Sequence, residues 1–239
     1  MTPLQIEALK RHLFSSSPTE LTVSTIFPDS TIKDAIHGLL MGPRDFDAFM
    51  LHRALSAPSP TAKFSNTFKY TWMLSLVLLG RKNGDLEAIK AVYRNLYGET
   101  LFPKLKEALR KEDLLHTLYF SVLSEVQQCG SEEVPEAERA SATLAVERDA
   151  DELFTATVGA VEGDVFSRIF ARSTTLRLRE IATKYAEKRG VTLTSTIEKK
   201  LKKQEAFRDE LLYVLRGLED QEVPRRDAEL LENTMKGLG

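Results

Sequence analysis

Four histidines, one cysteine and two lysine-rich runs are the residues of this chain whose types could do chemistry. His12, His37, His52 and His116 are widely scattered, with none of the short spacings that gather ligands around a metal. Cys129 stands in an acidic stretch, and nearby negative charge disfavours the thiolate a nucleophile needs. There is no Gly-x-Gly-x-x-Gly, no phosphate-cradling loop and no serine elbow. Catalysis has no residue in its favour, and the expectation is a binding protein that is not an enzyme. The basic runs are Lys199, Lys200, Lys202 and Lys203, and upstream Lys104, Lys106, Arg110 and Lys111. Such runs could touch an anionic surface, or they could be solvated helix ends whose cations complement the helix dipole.

Bulk composition narrows the partners. The 239 residues carry a formal net charge of -2, so no global basic field draws in nucleic acid. Charge is uneven along the chain: residues 125–164 hold eleven acids and two bases, and residues 173–203 hold nine bases and three acids. A single cysteine excludes an internal disulfide framework and suits a reducing compartment. The first ten residues lack the basic and apolar segments of a secretory signal. The longest apolar run, Trp72-Met73-Leu74-Ser75-Leu76-Val77-Leu78-Leu79, is too short to span a bilayer and reads as a buried helix. A cytoplasmic protein is expected, with any membrane contact peripheral.

The elements that position these residues are helical. Leu86, Ile89, Tyr93 and Leu96 recur at three- and four-residue steps before Gly98, and Leu178, Ile181 and Tyr185 do the same before Gly190. β-branched alternation is nearly absent, so the fold class is all-α. Asp-Ala-x-x-Leu occurs three times, at Asp47, Asp149 and Asp227, each reading as a helix start with a first-turn acid. Two blocks also superimpose at one offset of 92 residues. Leu86 falls on Leu178, Ile89 on Ile181, Tyr93 on Tyr185, Gly98 on Gly190, Leu105 on Ile197 and Leu109 on Leu201. Arg81 and Arg172 stand just upstream and read as structural cations at helix C-termini. Tyr93, Tyr185 and Trp72 read as core. The repeat governs how every other residue is interpreted.

Five helices per block, Asp-Ala-x-x-Leu in the first, Arg at the end of the second and Tyr-x-x-x-x-Gly closing the third together resemble the annexin repeat. The nearest stretches are residues 149–190, which contain Phe166-Ser167-Arg168-Ile169-Phe170-Ala171-Arg172-Ser173, and the tail that ends in Met235-Lys236-Gly237-Leu238-Gly239. The resemblance implies a right-handed superhelix of five-helix repeats. Residues 1–43 would be the last three helices of a first repeat, 44–128 a second, 139–222 a third, and 223–239 the first helix of a fourth. Residues 129–138 would be an acidic linker. On this reading the chain begins inside one repeat and stops inside another.

The same resemblance implies calcium-dependent binding to anionic phospholipid at the plasma or vesicle membrane, with vesicle or cytoskeletal proteins as further partners. Calcium is a hard cation served by several oxygens: loop carbonyls, a downstream carboxylate, water and lipid phosphate. In the second repeat the loop reads Ser56-Ala57-Pro58-Ser59-Pro60-Thr61, without glycine, and the carboxylate position falls on Ala108. In the third it reads Val158-Gly159-Ala160-Val161, and the carboxylate position falls on Lys200. Both sites are therefore expected to be degenerate. Met235, Gly237 and Gly239 match three backbone carbonyls of the family's loop, giving half a calcium site. In annexins the end of the fourth helix faces the membrane, which makes Lys199, Lys200, Lys202 and Lys203 the expected lipid contacts. The alternative is a degenerate annexin fold acting as a calcium-independent lipid-binding or protein-interaction scaffold.

Overall fold

The computed structural model describes residues 41–56, 73–124 and 126–219, together with Arg225 and Ala228. Helices α1 (Pro43–Ser56), α2 (residues 73–78), α3 (Asn83–Tyr97), α4 (Leu101–Ala108) and α5 (Asp113–Ser124) come first. A 3-10 turn at Ser131–Glu133 leads into α6 (Glu136–Thr155), α7 (Gly163–Arg172), α8 (Thr175–Arg189), α9 (Leu193–Lys200) and α10 (Glu205–Arg216). The one β-pairing among the described residues is an isolated bridge between Gln128 and Ser173, so the fold is all-α.

Local chemistry sets the helix ends. Pro43 opens α1, where a missing N–H and a fixed φ cost nothing. The Thr174 and Thr192 hydroxyls accept the backbone N–H of Arg177 and Ser195, capping α8 and α9. Gly98 and Gly190 terminate α3 and α8 at φ 69°, where a side chain would be strained. Their N–H groups reach back to the Arg94 and Ala186 carbonyls at 2.9 Å in both cases.

The 92-residue correspondence holds in three dimensions. The bounds of α3 and α8, of α4 and α9, and of α5 and α10 coincide at that offset. Matched positions share one fate: Leu86 and Leu178, Ile89 and Ile181, Tyr93 and Tyr185, Leu105 and Ile197 are all buried. Each block is a bundle in which the first helix lies against the third, α1 on α3 and α6 on α8. The bundles meet where α7 runs along α5, and α10 also reaches α5 across that seam.

Two expectations need correction. Asp149 does not start a helix; it lies deep inside α6, which begins at Glu136. The alanine-rich stretch Ala137 to Ala145 favours helix strongly enough to extend it upstream. Asp47 likewise lies beyond the first turn of α1, whose first-turn acid is Asp45. The residues just before the acidic segment are hydrogen-bonded to both blocks. The Gln127 amide donates to the Arg81 carbonyl at 2.7 Å in one block. In the other block the Gln128 N–H donates to the Arg172 carbonyl, and Thr174 N–H donates to the Gln128 carbonyl at 3.1 Å. Trp72, Asp227 and the loop residues 57–61 lie outside the described residues.

Candidate functional site

The recurring Asp and Arg meet each other. In the first block Arg81 Nη2 donates to Asp47 Oδ1 at 3.3 Å and lies 3.1 Å from Oδ2. In the second, Arg172 Nη2 donates to Asp149 Oδ1 at 2.5 Å. Each pair ties the residue that follows or closes the second helix to the first helix of its own block. Position 92 residues apart then inverts the third member. Asp85 stands where Arg177 stands in the second block, and it raises the Asp47 pKa alongside burial, against the lowering influence of Arg81. Arg177 is 2% exposed, donating to Asp149 Oδ2 at 2.7 Å and to the Cys129 carbonyl at 3.2 Å. Asp149 is fully buried between two guanidinium groups, a structural anchor with no room for a ligand.

The ends of the first and third helices carry a second matched constellation. The His52 ring stacks on Tyr97 at 3.7 Å and 5°, and its Nδ1 lies 3.3 Å from the Tyr93 hydroxyl. Burial, then the nearby Glu99 charge, push the Tyr93 hydroxyl up to about 12. In the second block Phe154 takes the place of His52, and the Arg189 guanidinium lies 3.7 Å over its ring. The Tyr185 hydroxyl donates to Thr196 at 3.3 Å. Both tyrosines are core residues with a partnered hydroxyl.

Beyond Phe154 the chain turns through the loop that stands at the family's calcium position and is expected to be degenerate. Thr157 and Val158 N–H donate to the Phe154 and Thr155 carbonyls, and Glu162 N–H donates to the Ala156 carbonyl at 3.0 Å. Gly159 alone has positive φ, 87°. Val158 is 64% exposed, an apolar side chain held out on the turn. At the far end of the block α9 closes on Lys199 and Lys200, and Lys202 and Lys203 follow in the turn to α10. All four are exposed and none forms an ion pair among the described residues. In the first block Ala108 ends α4 at the equivalent of Lys200, and the nearby Lys106, Arg110 and Lys111 are exposed. Lys104 is half-buried and paired with Glu99 at 3.5 Å.

Among the described residues no group of three or more His, Cys, Asp or Glu side chains could hold a metal ion. No described helix is long and apolar enough to cross a membrane. Met235, Gly237 and Gly239 lie outside the described residues. The Asp–Arg anchors were missed as pairs; their signal was the matching recurrence of both residue types in each block.

No family model matches the chain. A curated relative, annexin C1 of Cryptococcus neoformans var. grubii serotype A, is 26% identical over 206 residues, covering 84% of this chain. The chain spans 39% of that protein's length. Chicken annexin V superposes with a TM-score of 0.67 at 23% identity, over 99% of this chain and 68% of that one. Calcium-bound annexin (Sm)1 gives a TM-score of 0.67 at 18% identity, over 96% of this chain and 63% of that one. The chain has the annexin fold, and over most of its length its sequence is similar to that of one curated annexin.

Proposed function

We propose that this chain binds anionic phospholipid surfaces peripherally, and that its described repeats do so with lysine in place of calcium. The role is one of binding, not catalysis. The observation that carries the reading is the Lys199, Lys200, Lys202 and Lys203 group: four exposed ammonium groups without an ion-pair partner among the described residues, at one helix end. Lys200 stands where the resemblance calls for a carboxylate ligand. A positive charge there repels calcium, and the loop of the same repeat offers one glycine of left-handed conformation. The repeats at α1–α5 and α6–α10 therefore have degenerate calcium sites. Calcium dependence of the family's kind rests on the Met235-Lys236-Gly237-Leu238-Gly239 loop, with Met235, Gly237 and Gly239 as carbonyl donors.

Each lysine near an anionic leaflet contributes about 1 kcal/mol, falling off within a screening length. Co-sedimentation with phosphatidylserine vesicles, in calcium and in chelator, tests the reading. Binding in chelator at low salt that is absent from phosphatidylcholine vesicles supports it. Binding that requires calcium throughout would assign the whole affinity to conventional sites and overturn the lysine reading. A protein-interaction scaffold is the remaining alternative, and it predicts no sedimentation under either condition.

A further inference from the structure

Glu210 is a carboxylic acid in the seam between the two repeats. It lies on α10 and is 7% exposed. The Ser75 hydroxyl of α2 donates to its Oε2 at 2.6 Å. The Tyr119 hydroxyl of α5 is 3.4 Å from Ser75 Oγ and is itself hydrogen-bonded to Glu210. Three helices from both repeats thus converge on one acid. Among the described residues no cation pairs with it. The ionisable groups acting on it are Tyr119 across the seam and Asp209 on its own helix.

Burial without a paired cation favours the neutral acid. Glu210, Ser75 and Tyr119 each have one hydroxyl proton when the acid is protonated. In the protonated state the acid can donate to Tyr119 while Ser75 donates to the acid, so the neutral group keeps hydrogen bonds to both hydroxyls. Ionised Glu210 accepts from both hydroxyls, which favours the charge, but the charge then lies in a buried seam with no paired cation among the described residues. The position does not need a polar residue for packing. Its counterpart 92 residues upstream is Leu118, fully buried in the other half of the same seam. A cleft of about 890 Å³ is lined nearby by Leu76, Leu118, Val122, Tyr213 and Val214, and none of the three hydrogen-bonded residues faces it.

We propose that Glu210 is a proton-operated latch between the two repeats: protonated, it locks α10 onto α2 and α5, and ionised, it loosens that junction. Burial raises its pKa from 4.5 to about 7, against the lowering effect of the two hydroxyls. A folded-state pKa above the unfolded value means the native state binds the proton more tightly. The latch is therefore fully closed below about pH 4.5, weakens as pH rises toward 7, and is open above it.

The test uses the full chain and the Glu210→Gln variant, which keeps the shape and removes the titration. The urea midpoint of the wild type is expected to fall between pH 5 and 8 relative to that of the variant. The carboxyl carbon resonance lost in E210Q is expected to titrate near neutral pH in the wild type. Hydrogen exchange, corrected for its intrinsic pH dependence, is expected to rise in α10 at the alkaline end in the wild type only. Identical pH dependence in the two proteins, or a carboxyl titration near 4.5, would overturn the proposal. Should E210Q fail to fold, Glu210→Leu copies the Leu118 arrangement and supplies the non-titrating reference, and the wild-type resonance is read directly.

Discussion

At Asp149 one carboxylate holds two guanidinium groups in a fully buried position, with Arg177 itself almost wholly enclosed. Removing the negative charge would leave two cations without water or a counter-ion. The Asp149→Asn variant is expected to lose roughly 3–5 kcal/mol, the usual consequence of breaking a buried pair. Urea denaturation monitored by circular dichroism checks this, and a loss below about 1 kcal/mol would mean that the network is dispensable. The sequence displayed the Asp and Arg as recurring letters. It did not display their pairing, because the two residues are separated by the whole length of a second helix. Nor did it distinguish a first-turn acid from a mid-helix anchor. That depended on where α6 begins, and a run of alanine and glutamate extends a helix without an obvious start signal.

At the scale of elements, the helices were legible because two copies of one pattern confirm each other. The offset that aligned Tyr93 with Tyr185 and Gly98 with Gly190 also aligns the bounds of three helix pairs. Left-handed glycine at both C-caps explains why those two positions repeat. Nothing lies within 4 Å of a Cβ placed on Gly190, so Gly190→Ala isolates the conformational term. It is expected to cost about 1 kcal/mol, read as a lowered urea midpoint with an unchanged slope. A neutral result would show that α8 ends elsewhere in solution. The constellation beside these caps was less legible. Stacking of His52 on Tyr97 and of Arg189 on Phe154 joins residues that no period relates, since the first helices of the two blocks do not share the 92-residue offset. The pairing of Gln128, just before the predicted linker, with Arg172 and Thr174 was likewise not legible, because backbone pairing leaves no trace in composition.

Across the whole molecule, two bundles joined at one seam present a set of basic helix ends. The annexin fold was legible in the sequence from its repeat signature. The proposed loss of ligand chemistry also comes from the sequence, since Lys200 is a cation wherever its side chain points. What the sequence could not give was accessibility: Lys199, Lys200, Lys202 and Lys203 are exposed and uncommitted among the described residues, whereas Lys104 in the other block is engaged by Glu99. The second block therefore carries the greater share of the proposed lipid affinity. The same distinction separates this reading from a calcium-bridged one, because direct ammonium contacts weaken steeply with salt.

The most direct measurement is vesicle binding in chelator by the full chain, with Lys199, Lys200, Lys202 and Lys203 intact or all replaced by alanine. At about 1 kcal/mol per lysine, the fourfold variant is expected to partition onto phosphatidylserine vesicles roughly two to three orders of magnitude more weakly at low salt. Equal binding by the two proteins would contradict the account.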